Sequence, residues 1–329
     1  MIQLMQDNPQ MQIDTAPPDA VFKIDSMLFA ELVLRDGDTL KFEGEGMLNG
    51  AISIAPNMWR AEGAYWVLDN VTPPKHQIDF VESDGNRFEV KSPGHPRAGH
   101  SVDLFRGDVP LHHTNNMLLL DGSSFYHDYA KERIYLRFKP ATALYLSRLE
   151  TAITYGNDCT LINPRVKMYA NKVQRGAIWA DQDTTGLTVI GGQVSLCSGV
   201  GLTTRHHSII KALTLSNNGQ MGLSHRGDYC LYEDCRLNHN NYKHVNEGFE
   251  AGATKISQCK NVTFRHCEAV GNLGKGFWGD VDHDVVMFDE CVAYRNTSVG
   301  FYSELGGSVM CRNCWSGWNA PTRGRGDTY

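Results

Sequence analysis

No stretch of these 329 residues approaches the ~18 consecutive apolar residues of a membrane-spanning helix. The start, MIQLMQDNPQMQIDTAPPDA, has no basic segment and no apolar run of about seven residues, so no signal peptide is visible in it. Positive charge is scarce as well. Lys plus Arg is 31 against 37 Asp plus Glu, a formal net charge of −6 with histidine neutral. A duplex nucleic-acid binder needs a basic stripe to neutralise phosphates, which argues against that class. HExxH is absent. CxxC occurs once, at Cys311 and Cys314, without the second close pair a zinc ribbon requires. The β-rich runs show no helical 3.6 period, and the leucine-rich consensus is missing.

Glycine and cysteine are plentiful instead, at 32 and 9 residues. A repeat explains both. Asn217, Asn240, Asn272, Asn296 and Asn319 each follow a β-rich run, at spacings of 23, 32, 24 and 23. Five residues before the last four stand Cys235, Cys267, Cys291 and Cys314, with Ala212 before Asn217. A second register follows each Asn, a glycine and then a large apolar residue: Gly201-Leu202, Gly222-Leu223, Gly248-Phe249, Gly276-Phe277 and Gly300-Phe301, with Gly176-Ala177 as a weaker first copy. Short β-runs broken by Asn and Gly turns at this period predict a parallel β-helix, in which equivalent residues stack at ~4.8 Å. The Asn column then bonds up the stack. The Cys column becomes a ladder of reduced, buried thiols rather than disulfides, because stacked side chains with parallel Cβ vectors have poor bridge geometry.

The period divides the chain. Residues 1–33 read as an N-terminal lead or cap, 34–55 as a first coil, 56–149 as a β-rich insertion of sandwich or hairpin type, and 150–319 as the coils proper. Residues 320–329 read as a polar tail carrying Arg323, Arg325 and Asp327. The expected fold is therefore all-β, a right-handed single-stranded parallel β-helix with an insertion near the N-terminus.

DLFRGDVPL (103–111), GSSFYHDYAKERIYLRF (122–138), EGFEAGATKI (247–256), GKGFWGDVD (274–282) and VGFYSEL (299–305) resemble bacterial right-handed parallel β-helix proteins of the pectate-lyase-like superfamily. The likeness covers residues 100–319, and 34–70 more weakly. It implies the fold, a polysaccharide or oligosaccharide partner, and an extracellular or periplasmic location. The superfamily spans lyases, hydrolases, epimerases and phage adhesins, so activity does not follow from fold. One departure is Ala253, where a double glycine commonly precedes the Lys motif.

Counting outward from each glycine, with alternate residues facing out, gives two external columns. One reads Ile178, Thr203, Ser224, Glu250, Trp278, Tyr302, and the other Ala180, Arg205, Arg226, Gly252, Asp280, Glu304, with Lys255 and Asp282 just beyond. Outward aromatic rings suit stacking on sugar faces. Asp280 and Glu304, on adjacent coils, suit an acid and base pair, since one of two close carboxyls is pushed to hold its proton. As a hydrolase, Asp280 and Glu304 would act as acid and base or nucleophile, Glu250 or Asp282 would assist, and Arg226 and Arg205 would bind an acidic sugar beside Trp278 and Tyr302. As a lyase, Lys255 or Arg226 would take the C5 proton of a uronate while Glu250, Asp280 and Asp282 hold Ca²⁺. No other cofactor is expected, and the chain is expected to be a monomer. A non-catalytic glycan-binding module, of adhesin or tail-fibre type, needs the aromatics and arginines alone.

Overall fold

The computed structural model describes residues 1–83 and 85–320; the expected tail beyond Ala320, with Arg323, Arg325 and Asp327, lies outside the described residues. Each coil contributes one short strand to each of three parallel sheets of ten, nine and eight strands. A representative coil runs Ile209–Lys211 in the first sheet, Thr214–Ser216 in the second and Met221–Arg226 in the third. Inward side chains stack in unbroken columns. On the first sheet Phe22, Leu40, Leu161, Val189, Ile210, Tyr232, Phe264 and Phe288 follow one another coil by coil, each no more than 1% exposed. The Tyr232 and Phe264 rings stack at 4.2 Å and 9°.

The bend between the second and third sheets carries the asparagine ladder. Asn240 donates its backbone N–H and its Nδ2 to Asn272 Oδ1, at 2.9 and 3.0 Å, and Nδ2 also reaches Leu215 O at 3.0 Å. Asn272 repeats this on Asn296, and Asn296 on Asn319. The rung below Asn240 is Asn218 rather than Asn217. Asn217 occupies the left-handed turn position beside it (φ 52°) and is exposed. Asparagine tolerates that conformation well, so two adjacent asparagines serve two different needs. Most positions next to the ladder are glycine, for lack of room. A Cβ on Gly300 would lie 2.6 Å from Asn319 Nδ2 and 2.4 Å from Ser316 Oγ.

All nine cysteines are free. Cys235, Cys267, Cys291 and Cys314 form the expected column, each thiol donating to a carbonyl of the coil before it at 3.3–3.6 Å. The residue below Cys235 in this column is Leu213, not Ala212, which holds a left-handed turn (φ 52°).

The coils begin upstream of residue 34. Val21–Ile24 pairs with Thr39–Phe42, Met27–Leu28 with Met47–Leu48, and Leu32–Val33 with Ile153–Thr154. This coil lacks the Asn and Gly markers at its bends and so escapes a repeat count. Its open edge is covered by glutamine amides that imitate a further coil. Gln6 exchanges two hydrogen bonds with Phe29, and Gln10 two with Val33. The short helix Pro9–Asp14 places Ile13, fully buried, on the core.

The insertion is spliced into the second coil, between Met47–Asn49 and Ile153–Thr154. It leaves and returns on one antiparallel pair, Ala51–Ile54 against Leu144–Ser147, so residues 51–55 belong to it and not to a coil. Two sheets, of four and five strands, enclose Leu68, Leu104, Phe125, Ile134, Leu136 and Leu146. A separate hairpin, Phe80–Ser83 against Asn86–Glu89, projects over the third sheet of the β-helix. Among the described residues no helix is long and apolar enough to cross a membrane.

Asn272→Ala removes the acceptor of two buried donors on Asn240 and is expected to lower unfolding stability in urea by about 3 kcal/mol. Asn217→Gly, at a left-handed exposed position, should stay within about 0.5 kcal/mol of the parent.

Candidate functional site

The outer face of the third sheet carries both candidate regions. Its register differs from a count that starts at the nearest glycine. Ala177 and Ala253 stand in the small-residue column with Gly201, Gly222, Gly276 and Gly300. Counting from Gly176 slips the register by one, and a slip of one exchanges inside for outside. Ile178 therefore faces the core, and Trp179 faces out. Counting from Gly248 lands in a loop, because the coil between Asn240 and Asn272 is longer than the others. The outward columns are Trp179, Thr203, Ser224, Lys255, Trp278, Tyr302 and, two residues on, Asp181, Arg205, Arg226, Ser257, Asp280, Glu304. Lys255 thus takes the place assigned to Glu250, and Ser257 that of Gly252.

At the C-terminal end of this face the expected residues do meet, but as an ion-pair network. Lys255 Nζ lies 2.8 Å from Glu250 Oε1 and 2.8 Å from Asp280 Oδ2. Glu250 and Asp280 are 4% and 5% exposed. Burial pulls the Lys255 ammonium down, yet Glu250 and Asp280 outweigh it and hold it above its ordinary value. A base must be free to accept a proton, so this arrangement opposes the lyase role assigned to Lys255. The cation that Glu250 and Asp280 hold is the ammonium of Lys255. Asp282 is exposed in a left-handed turn (φ 57°). Among the described residues no set of three or more His, Cys, Asp or Glu converges as a metal site.

Trp278 does not offer an open ring. It is 2% exposed, with Lys275 Nζ 3.9 Å and Lys255 Nζ 4.7 Å from its centroid. Lys275, missing from the sequence reading, is buried and also lies 5.3 Å from the Tyr302 ring. Desolvation lowers its ammonium, against the pull of Glu304 and Glu247. Glu304 is exposed and neighbours Asp280 across one coil step. Tyr302 remains half-buried, its ring 6.1 Å from that of Trp278.

The second region is a groove of about 560 Å³ between the third sheet and the insertion hairpin. Ile78, Phe80 and Val81 form its insertion wall; Lys172, Arg175, Trp179, Arg205 and Arg226 line the rest with Thr203 and Ser224. The lining contains four cations and no Asp or Glu. Arg175 and Arg205 both sit on Trp179, their Cζ atoms 4.9 and 4.8 Å from the ring centroid. Arg205 donates Nε to Ala180 O and Asp181 O, both at 3.1 Å. Arg175 Nε is buried without a hydrogen-bond partner. Burial above all, together with the like charge of Arg226, pulls the Arg205 guanidinium below its ordinary value. Arg205 and Arg226 were legible in the sequence. Trp179 was hidden by the one-residue slip at Gly176, although it continues the column of Trp278, and Arg175 precedes the strand that the count begins from. The groove extends toward the N-terminus through Arg175 into a cleft of about 410 Å³ bounded by Glu31, Lys75, Arg148 and Glu150.

The family model described as the right handed beta helix region matches residues 152–318, just over half of the chain, and the chain belongs to that family. Among solved structures it is similar to XylC, determined in complex with xylose, with a TM-score of 0.68 at 12% identity over 92% of this chain. The chain spans only 66% of that protein's length. A glycoside hydrolase matches with a TM-score of 0.48 at 9% identity, covering 92% of this chain and 88% of that one. The tailspike protein gp49 from Pseudomonas phage LKA1 matches at 0.35 and 11%, covering 93% and 56%. No curated protein matches in sequence.

Lys255→Met should leave Glu250 and Asp280 buried without a cation and lower stability by about 3–5 kcal/mol. The neutral triple variant Glu250→Gln/Lys255→Met/Asp280→Asn should recover more than half of that in the same urea titration.

Proposed function

We propose that this protein binds an anionic polysaccharide along the outer face of its third sheet. The observation that carries the reading is the groove around Trp179, where Arg175, Arg205 and Arg226 converge and, among the described residues, none has a salt-bridge partner. Guanidinium groups gathered without carboxylates repel one another and lose hydration. A bound carboxylate or sulfate ester offers each of them a forked, charge-assisted hydrogen bond. Trp179, between two of them, supplies an apolar face for a sugar ring, and Thr203 and Ser224 supply hydroxyls. A protein of the same fold has been solved with xylose, which is in keeping with a sugar ligand.

A second reading adds turnover. Asp280 and Glu304 occupy the same outward column on adjacent coils, two and three coil steps, or roughly 10 and 14 Å, beyond Arg226. A chain held in the arginine groove would run toward them. Glu304, exposed and without a salt bridge among the described residues, is the carboxylate available to accept or give a proton, with Asp280 tied to Lys255.

A glycan array and polysaccharide panel, run with and without chelator, tests both. Polyuronates or sulfated glycans should bind, more weakly as salt rises. Neutral glycans should not. Arg175→Ala and Arg226→Ala should each weaken binding about tenfold, or ~1.4 kcal/mol. Equal binding of neutral glycans, or no response to either substitution, overturns the binding reading. Turnover that survives Glu304→Gln and Asp280→Asn unchanged overturns the second.

A further inference from the structure

The hairpin wall of the groove belongs to the insertion, and the insertion touches the β-helix at its root, on its far side, and near the root where Phe105 packs with Met168, Leu196 and Tyr242 and Asp108 pairs with Lys167 at 3.0 Å. At its root it is continuous with the chain through the strand pair Ala51–Ile54 and Leu144–Ser147. On its far side it meets the long loop between Asn240 and Asn272. Ser92 Oγ donates to His244 O at 2.6 Å, Asn246 N to Val90 O at 2.8 Å, and Asn246 Nδ2 to Glu89 O at 3.0 Å. Phe88 stacks on Phe249 at 5.8 Å. Lys243, wholly buried, reaches from this loop to Asp103 at 3.0 Å and to Ser198 Oγ at 2.7 Å.

Three histidines meet at that contact. His95 of the insertion stacks on His244 of the loop, centroids 3.8 Å apart and planes 15° apart, and His112 of the insertion closes edge-on to His95 at 4.8 Å. The charged and titratable groups around them are few. From the insertion come Arg97, Asp103, His100 and His113, with Asp121 acting on His112; from the β-helix loop come Lys243 and Tyr242, whose phenol burial keeps protonated. Asp103 is already paired with Lys243. Neutral imidazoles stack comfortably, whereas two imidazolium ions in this arrangement would repel at contact distance beside Lys243 and Arg97.

We propose that the insertion is an acid-released wall of the groove, hinged on the Ala51–Ile54 and Leu144–Ser147 pair and unclasped when the His95, His112 and His244 cluster takes up protons. Burial, then His244 and His112, hold the His95 imidazole down to about 4. Burial likewise lowers His112 and His244. Each group therefore binds protons more readily once released than while docked. The docked state is favoured above pH 6.5, the ordinary histidine value, and loses ground as pH falls from there toward 4. Release would carry Ile78, Phe80 and Val81 away from Trp179 and widen the groove. This goes beyond glycan binding and does not depend on it.

Hydrogen exchange on the full chain at about pH 5 and about pH 7.5, corrected for intrinsic rates, tests the clasp. Segments 86–100 and 242–250 should exchange at least about tenfold faster in acid, while the coil segment 262–270 is unchanged. His95→Phe/His112→Phe/His244→Phe keeps the rings and removes their charge, so it should abolish the acid response. Uniform exchange across all three segments, or an acid response that persists in the triple variant, overturns the proposal. If that variant does not fold, NMR titration of the imidazoles in the parent protein decides. Midpoints for His95 and His244 well below 6.5 support the clasp, and midpoints at or above it overturn the clasp.

Discussion

Each coil has to lie on the one before it at the strand spacing, and the asparagine ladder at the bend between the second and third sheets holds that registration. Asn240, Asn272 and Asn296 each offer one Oδ1 to two donors of the coil below, and every rung from Asn218 to Asn296 spends its own Nδ2 on two acceptors. A buried amide satisfied in this way tolerates no shift of register, because a displaced rung would strand several polar groups at once. The glycines beside the ladder follow from it, since a Cβ there would strike the amide nitrogens. So do the inward columns, which superimpose apolar residues coil after coil because the bends superimpose.

That registration builds a flat outer face, and the exceptions to the repeat make it a site. The splice in the second coil sends out an insertion whose hairpin returns over the third sheet. The lengthened coil before Asn272 supplies the loop that meets it, through Phe249, Asn246 and Lys243. A groove thereby forms where a plain solenoid would have only a ribbon. The family model begins at residue 152 and so covers the regular coils; the groove is made jointly by them and by the part of the chain that precedes them.

Charge is distributed unequally along this face. Toward the C-terminus Glu250 and Asp280 share the Lys255 ammonium, which lies over Trp278. Such a network is held for geometry, since it is buried and internally paired. Around Trp179 four cations line the groove with no acid among the lining residues, Asp181 standing beside Arg205 outside it. A sequence count of charged residues on the face treats both regions alike. The pairing separates them, and it moves the proposed binding site from the acidic end to the arginines.

The β-helix itself was legible in the amino-acid sequence, because a solenoid repeats its local rules. Asn, Gly and Cys return at intervals, and each return marks the same bend. His225 sits in one of the inward columns, buried with both ring nitrogens bonded, to Tyr232 Oη and Gly227 O. The sequence also marked Arg205, Arg226, Asp280 and Glu304 as outward-facing. The register could not be read where alanine replaces glycine, at Ala177 and Ala253, because the counting mark is lost while the small side chain still fits. Nor could the partners be read. Whether a carboxylate is free or bound to a lysine, and whether Trp278 is open or covered, depends on residues that adjacent coils and a distant insertion bring together. Local sequence determined the coil; contacts between segments far apart in the chain decided where its surface can bind.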